Sequence, residues 1–215
     1  MMLRINKVHW PVTVLGYGKR VGIWFQGCSI GCKGCVSLDT WDSTLGAEIA
    51  TEELLAWCKS VTCNILDGIT ISGGEPFDQS HQLNTLVDAL IEWRLREDLE
   101  FDILCYSGYP YRVLKQKYGH ILSKIDVLIP EPYHQGQPTV SLRGSENQTI
   151  LALTPLGKQR YTSEFLDAKE AKRFQIQVDQ QEVWFIGIPA KGDLEELEKR
   201  CAEQGLKLAN VSWRI

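Results

Sequence analysis

Short apolar runs alternate with helical patterns along the first part of the chain. A nearly continuous apolar run predicts a strand that is buried on both faces. Four such runs are "VGIWFQG" (21–27), "GITIS" (68–72), "FDILCYS" (101–107) and "IDVLIP" (125–130). Between them, apolar residues recur at helical spacing in 51–60, 78–98 and 111–119. Strands separated by helices predict an α/β fold with a parallel sheet, open or closed into part of a barrel.

The pattern changes after residue 150. Residues 173–189 predict two strands about a polar turn, residues 192–206 a capped helix, and residues 206–213 a last strand. We therefore divide the chain into a core domain, residues 1–150, and a C-terminal extension of ββαβ pattern, residues 151–215. The extension is expected to pack on the core or to dock a partner.

The composition and net charge of the chain argue against some classes of partner and location. Of the 215 residues 44% are hydrophobic and 23% are charged, and the net charge is only -4. These values are ordinary for a soluble globular protein and give no electrostatic case for binding nucleic acid or a membrane surface. No apolar segment approaches the roughly 18 residues of a membrane helix, and the first residues lack a secretion signal. We expect a cytoplasmic protein.

The cysteines are unevenly distributed. Seven is an odd count, and without a secretion signal a disulfide framework is not expected. Cys28, Cys32 and Cys35 are clustered in the glycine-rich stretch "GCSIGCKGC" (27–35). The other four lie in apolar or helical surroundings and are predicted to be small buried hydrophobic residues: Cys58, Cys63, Cys105 and Cys201.

Three kinds of site compete for the clustered cysteines. A structural zinc site usually has four ligands, so His9 or His134 would have to come from a distance. A redox pair formed by Cys32 and Cys35 leaves Cys28 unexplained. A cluster of four irons held by three thiolates leaves one iron free to bind a substrate or a cofactor. We favour the cluster.

A second glycine-rich motif, "SGGEPFDQ" (72–79), follows the next predicted strand. Gly73 and Gly74 allow a close approach of the backbone to a bound molecule, and Glu75 offers an acceptor for an ammonium group. Pro76 stiffens the exit from the turn. A plain turn is the alternative interpretation. Because both motifs follow strands, they are predicted to meet at the carboxyl edge of the sheet, where ligands bind in such folds.

The two motifs together resemble those of the radical S-adenosylmethionine enzymes. Within that superfamily the chain is most similar to the small activases of glycyl radical enzymes, especially the anaerobic ribonucleotide reductase activating proteins. Four further stretches carry this similarity: "GYGKRVGIWFQGC" (16–28), "CYSGY" (105–109), "DVLIPEPY" (126–133) and "LRGSENQ" (142–148). The resemblance covers about residues 3–150. One departure is Gly34, because this position is usually aromatic in the superfamily.

The resemblance implies a partial, incomplete parallel β/α barrel and two cofactors, a 4Fe-4S cluster and S-adenosylmethionine. Cys28, Cys32 and Cys35 would ligate three irons, and the fourth iron would chelate S-adenosylmethionine. The methionine ammonium group would be held by the motif residues Gly73, Gly74 and Glu75. The remaining cofactor-binding candidates are Gly34, Pro76 and Ser107.

The resemblance also implies a reaction, in which S-adenosylmethionine is cleaved to methionine and a 5'-deoxyadenosyl radical that abstracts hydrogen from the substrate. The favoured function is activation of a partner protein by formation of a glycyl radical. An electron donor such as flavodoxin or ferredoxin would be a second partner. Neither nucleic acid nor a membrane is expected as a partner. Two alternatives stay open: radical modification of a peptide or small metabolite, and a noncatalytic metal-binding interaction module.

Overall fold

The computed structural model describes residues 1–63, 65–169, 174–179, 182–208, 211 and 213. Its strands are β1 (Met2–Val12), β2 (Arg20–Phe25), β3 (Ala47–Ala50), β4 (Gly68–Gly73), β5 (Asp102–Tyr106), β6 (Val127–Ile129), β7 (Leu151–Ala152), β8 (Phe174–Asp179) and β9 (Glu182–Gly187). Its helices are α1 (Thr51–Thr62), α2 (Ser80–Arg96), α3 (Tyr111–Leu122), α4 (Pro155–Arg160), α5 (Ser163–Lys169) and α6 (Asp193–Glu203).

A seven-stranded sheet forms the centre of the fold, in the order β3-β1-β2-β4-β5-β6-β7. Its four central strands, β2, β4, β5 and β6, are parallel, and the outer pairings are antiparallel. The predicted α/β class with a parallel central sheet is thus confirmed. Closure of this sheet into part of a barrel stays a prediction.

One face of the parallel sheet packs against the helices and forms the main core. Alternate residues of β2 point into it, namely Val21, Ile23 and Phe25, and each is fully buried. Leu54 of α1 and Leu86 of α2 lie in the same cluster. Burying a side chain of this size contributes about 1.5–3 kcal/mol to stability. The continuous apolar runs of the sequence are explained by this burial.

The amino ends of the parallel strands are joined by a buried ion pair. The side chains of Arg20 and Asp102 are fully enclosed and 2.7 Å apart. Arg20 also donates to the hydroxyl of Thr70 at 2.6 Å. Arg160 and Tyr161, at the end of α4, donate to the same aspartate at 3.0 and 3.1 Å. The segment after residue 150 is therefore bonded into the core.

The hairpin of β8 and β9 packs on the face of β1 and β2 that is turned away from the helices. The ring centroid of Trp184 lies 5.2 Å from that of His9 and 5.1 Å from that of Trp24. Ile186 is buried in a cluster with Val12. The C-terminal extension therefore contacts the core domain directly.

Several elements differ from those predicted. The sequence patterns do not predict the strands β1, β3 and β7 or the helices α4 and α5. Residues 206–208 are not in a strand, and the rest of the predicted last strand includes residues outside those described. Cys58 and Cys105 are buried as predicted. The prediction is wrong for Cys63, which ends α1 in a left-handed conformation and is exposed, and Cys201 is only half-buried. Within the described part of the chain, no helix is long and apolar enough to cross a membrane.

Candidate functional site

Four loops meet at one edge of the parallel sheet. Because β2, β4, β5 and β6 run in the same direction, the segments that follow them emerge on the same side. These segments are the cysteine loop, the turn Gly73–Pro76, the segment Ser107–Tyr109 and the segment Pro130–Tyr133. The predicted meeting of the two glycine-rich motifs is confirmed.

The cysteine loop, which we define as residues 28–41, is closed by backbone hydrogen bonds at its base. The N–H of Gly27 donates to the carbonyl of Thr40 at 2.7 Å, and the N–H of Cys28 donates to the carbonyl of Trp41 at 3.2 Å. The buried side chain of Gln26 donates to two more carbonyls at this base, each at 2.9 Å. The loop therefore begins and ends at the same point of the rim.

All three clustered thiols are half-buried and receive backbone N–H groups. The amides of residues 30 and 31 act to lower the pKa of Cys28, and the amide of Tyr133 acts to lower that of Cys32. The N–H of Ser37 lies 3.4 Å from the sulfur of Cys35. Amides that face sulfur stabilise the thiolate form, which is the form that binds iron.

Burial opposes thiolate formation at two of these cysteines. It raises the pKa of both Cys28 and Cys32, and the amides offset only part of that effect. The negative charges of Cys35 and Glu75 raise both values further. Iron binding, which requires deprotonated cysteines, therefore has to supply the free energy of removing these protons.

The donor set fits an iron-sulfur cluster better than a single ion. Across the described residues, no three His, Cys, Asp or Glu side chains are gathered closely enough to hold one metal ion. In a 4Fe-4S cluster each cysteine binds a different iron, so three separated thiolates with amides on their sulfurs suit it. His9, considered as a zinc ligand, has its ring against Trp184 instead.

The glycine pair is required by close packing at the rim. A Cβ on Gly74 would lie 2.1 Å from the carbonyl oxygen of Gly27, and Gly73 has a φ of +109°. The N–H of Glu75 donates to that same carbonyl of Gly27 at 2.8 Å. The two glycines therefore allow the turn after β4 to lie directly against the base of the cysteine loop.

Glu75 is fully enclosed and accepts three hydrogen bonds. One carboxylate oxygen accepts from the N–H of Phe77 at 3.0 Å and from the hydroxyl of Ser107 at 2.9 Å. The other accepts from the N–H of Gly108 at 2.7 Å. Burial raises the pKa of Glu75 to about 7 in spite of these donors. The carboxylate joins the loops after β4 and β5 and retains one acceptor position.

The remaining predicted cofactor residues lie at the same rim. Pro76 is buried at the start of a short 3-10 helix, Pro76–Gln79. Ser107 is almost fully buried, and its hydroxyl donates a hydrogen bond to Glu75. Gly34 has a φ of +77°, and a Cβ there would lie 2.8 Å from the side chain of Gln135. Contacts of these residues and of Glu75 with a cofactor stay predictions.

Sequence reasoning missed a polar network beside Cys28. The carboxylate of Asp78 accepts from the N–H of Ser29 at 2.7 Å, from its hydroxyl at 2.9 Å and from the hydroxyl of Tyr109 at 2.8 Å. The two hydroxyls are 3.0 Å apart. Asp78 and Tyr109 belong to motifs quoted above, but nothing in the sequence indicates that three loops meet at these side chains.

The C-terminal extension also reaches this region. A cavity of about 830 Å³ lies between β9 and the second half of the cysteine loop. Trp24 and Trp184 line it from the two parts of the chain, together with Ser37 and Thr40. The extension therefore forms one wall of a space whose other wall begins beside Cys35.

A protein-family model described as "4Fe-4S single cluster domain" matches residues 14–151. This match includes the three clustered cysteines, the glycine pair and Glu75. It ends where the C-terminal extension begins.

Curated proteins similar to this chain include two anaerobic ribonucleoside-triphosphate reductase-activating proteins. The one from Enterobacteria phage T4 is 29% identical over 142 residues, which cover 66% of this chain and 88% of the relative. The one from Haemophilus influenzae is 31% identical over 150 residues, which cover 66% and 94%. A pyruvate formate-lyase-activating enzyme from Clostridium pasteurianum is 29% identical over 137 residues, 62% of this chain and 54% of the relative.

Proposed function

The chain belongs to the family of 4Fe-4S single cluster domains, and we propose that it is a radical S-adenosylmethionine enzyme that generates a glycyl radical in a partner protein. One observation carries this proposal. Three half-buried thiols lie at the carboxyl rim of a parallel sheet, in a loop whose base packs against the Gly73–Pro76 turn.

Each residue of the rim has a role in this proposal. Cys28, Cys32 and Cys35 hold three irons, and the backbone amides that face their sulfurs stabilise the thiolates. When bound, the cluster supplies the electron that cleaves S-adenosylmethionine into methionine and a 5'-deoxyadenosyl radical able to take hydrogen from a substrate. Gly73 and Gly74 bring the backbone close to the methionine part.

The partner and the electron donor are inferred from the relatives. Two relatives are activating proteins of a ribonucleoside-triphosphate reductase and one is an activating enzyme of a pyruvate formate-lyase, so another enzyme is the favoured substrate. A one-electron donor such as flavodoxin or ferredoxin completes the reaction. We place both encounters at the rim, because the cysteine loop is partly exposed there.

Anaerobic reconstitution tests the enzyme activity. We expect four irons and four sulfides for each chain, and formation of 5'-deoxyadenosine when S-adenosylmethionine and a strong reductant are added. Replacing Cys28, Cys32 or Cys35 by Ala should abolish both results. The matched variants Cys58→Ala, Cys63→Ala, Cys105→Ala and Cys201→Ala should retain the cluster. Bound zinc, or an active Cys32→Ala variant, would refute the proposal.

The cavity beside the cysteine loop favours a second candidate function, radical modification of a peptide or small metabolite. Its volume of about 830 Å³ suits a small molecule or a short peptide better than a protein surface. The two functions differ in the molecule that loses the hydrogen atom, which is a partner protein in the first and a peptide or small metabolite in the second. An organic radical detected by electron paramagnetic resonance on an added anaerobic ribonucleoside-triphosphate reductase would favour the first, and its absence with continued turnover on peptides would favour the second.

A further inference from the structure

The network of Ser29, Asp78 and Tyr109 holds the first residue after Cys28. Asp78 takes both the N–H and the hydroxyl of Ser29, at 2.7 and 2.9 Å. Asp78 is itself fixed, because its own N–H donates to the carbonyl of Glu75 at 3.0 Å. Charge-assisted bonds of this length are about twice as strong as neutral ones. Ser29 is therefore bonded to the turn after β4 rather than to its own loop.

Ser29 lies between Cys28 and the two amides that face its sulfur. The N–H of Ser29 is directed to Asp78. The next two amides, those of Ile30 and Gly31, act on the sulfur of Cys28 and offset part of the rise in its pKa. Gly31 has a φ of +62°, a conformation that favours glycine and lets the backbone turn back toward Cys28. The position of Asp78 and the hydrogen bonding of Cys28 are thus linked through one residue.

The network also places a negative charge beside Cys28. Asp78 is exposed, so solvent screens part of its charge, but within the described residues it forms no ion pair with Lys, Arg or His. The hydroxyl of Tyr109, at 2.8 Å, is a neutral donor that spreads part of this charge. A fixed negative charge near an iron-sulfur cluster disfavours the addition of an electron and lowers its reduction potential.

We propose that Asp78 is a positioning residue for the cluster. It orients the Cys28 segment so that two backbone amides meet the sulfur, and its uncompensated charge lowers the reduction potential of the cluster. Tyr109 moderates this effect by donating to the carboxylate. We rely here on the proposed binding of a cluster by Cys28, Cys32 and Cys35, and not on the identity of the substrate.

Two variants test the assignment because they should shift the potential in opposite directions. Asp78→Asn removes the charge, so the midpoint potential of the reconstituted protein should rise. Tyr109→Phe keeps the carboxylate but removes its donor, so the midpoint potential should fall. Both are measured by anaerobic redox titration followed by electron paramagnetic resonance, with iron content determined on the same samples. Neither readout depends on turnover.

The matched controls remove a carboxylate or a tyrosine hydroxyl at positions outside this network. Asp167→Asn removes an exposed carboxylate in α5, and Tyr111→Phe removes a hydroxyl at the start of α3. Both should leave the midpoint potential at the parent value. Asp78→Glu keeps the charge and should stay close to the parent, which gives a test even where Asp78→Asn cannot hold a cluster.

Three results would overturn the assignment. The first is a fully loaded Asp78→Asn protein with an unchanged potential. The second is a shift of Asp78→Asn and Tyr109→Phe in the same direction. The third is an Asp78→Glu protein that holds iron but shifts as Asp78→Asn does. A parent protein that binds no 4Fe-4S cluster would instead refute the proposed function, so the two failures are distinguishable.

Discussion

At the scale of single residues, Glu75 combines two properties that usually exclude each other. It is fully buried, and it accepts hydrogen bonds from three donors that favour its charged form. Burial is the larger effect and raises its pKa to about 7. Because the side chain has no exposed surface, an amino group can reach it only if the contact with Ser107 and Gly108 opens.

We predict that Glu75 makes the stability of the metal-free protein depend on pH. The pKa of Glu75 is higher in the folded protein than in the unfolded chain, so the folded state holds this proton more tightly. Its stabilising contribution is therefore complete below about pH 4.5, the ordinary pKa of the group, and is lost as the pH rises through about 7. Urea unfolding at a series of pH values, under reducing conditions, measures this loss.

Glu75→Gln is the matched variant, because it keeps the shape of the side chain and cannot titrate. Its unfolding free energy should lack the decrease near neutral pH. An identical decrease in parent and variant would assign the dependence to another group. If the carboxylate also holds the amino group of S-adenosylmethionine, the variant should assemble its cluster but bind this cofactor more weakly; unchanged affinity would leave Glu75 with its structural role alone.

At the scale of elements, the amino ends of the parallel strands depend on Asp102. This first residue of β5 is bonded to Arg20 of β2 and to Arg160 and Tyr161 of α4. Both members of the Arg20–Asp102 pair are fully buried, so neither can find water if the other is lost. The pair therefore joins elements that are distant in sequence.

We predict that Asp102→Ala lowers the free energy of unfolding by about 3–5 kcal/mol, because it leaves the Arg20 guanidinium buried without a counter-charge. Chemical denaturation of the metal-free protein measures this value. The control is Glu92→Ala, which removes the partner of Arg96 in an exposed i,i+4 pair on α2 and should cost about 0.5 kcal/mol or less. Equal losses in the two variants would contradict a structural role for the buried pair.

The sequence predicts those strands and helices whose apolar residues follow one regular pattern along the whole element. The central parallel strands read as continuous apolar runs because both of their faces are covered, and α2 shows a clear apolar stripe. Strand β1 shows neither pattern, because register shifts near Ile5 and His9 interrupt its alternation. Strand β7 has only two residues and is defined by its pairing with β6, which is a tertiary contact.

The candidate site also has one part that the sequence predicts and one part that it does not. The spacing of Cys28, Cys32 and Cys35 indicates a cluster loop, and its place after a strand puts it at the rim. The partners of Asp78 cannot be read from the chain, because Ser29 and Tyr109 lie 49 and 31 residues away from it. Such contacts arise only from the way the sheet brings its loops together.

At the scale of the whole molecule, the C-terminal extension is packed on the core. Trp184 lies against Trp24 and His9, and Ile186 is 1% exposed beside Val12. The opposite face of the same hairpin is open, since Val178 is 67% exposed. One face is thus used for packing, and docking of a partner on the other face stays a prediction.

We predict that a chain ending after Lys169 is less stable and less soluble than the full protein, because Val12, Trp24 and their neighbours lose their cover. The cut is placed there because Phe165 packs against Tyr161 and both belong with the core. Thermal unfolding and the soluble fraction after centrifugation measure the effect.

The docking prediction needs a variant that leaves the packing intact. Val178→Asp changes only the open face and should unfold at the parent temperature while activating its partner less well. A truncated chain that stays soluble and activates its partner normally would contradict both the packing and the docking roles. A Val178→Asp protein with full activation would remove the docking role alone.

The closed base of the cysteine loop has a consequence for how this protein can change over generations. The loop begins and ends at neighbouring backbone bonds, and no residue of the hydrophobic core lies between 28 and 41, a stretch that is described throughout. Substitutions at its exposed positions with ordinary backbone conformation, such as Lys33, therefore carry little cost in folding. This segment can therefore change at such positions around its three cysteines while the rest of the architecture is kept, but not at Gly34, which has a φ of +77° and no room for a Cβ beside Gln135.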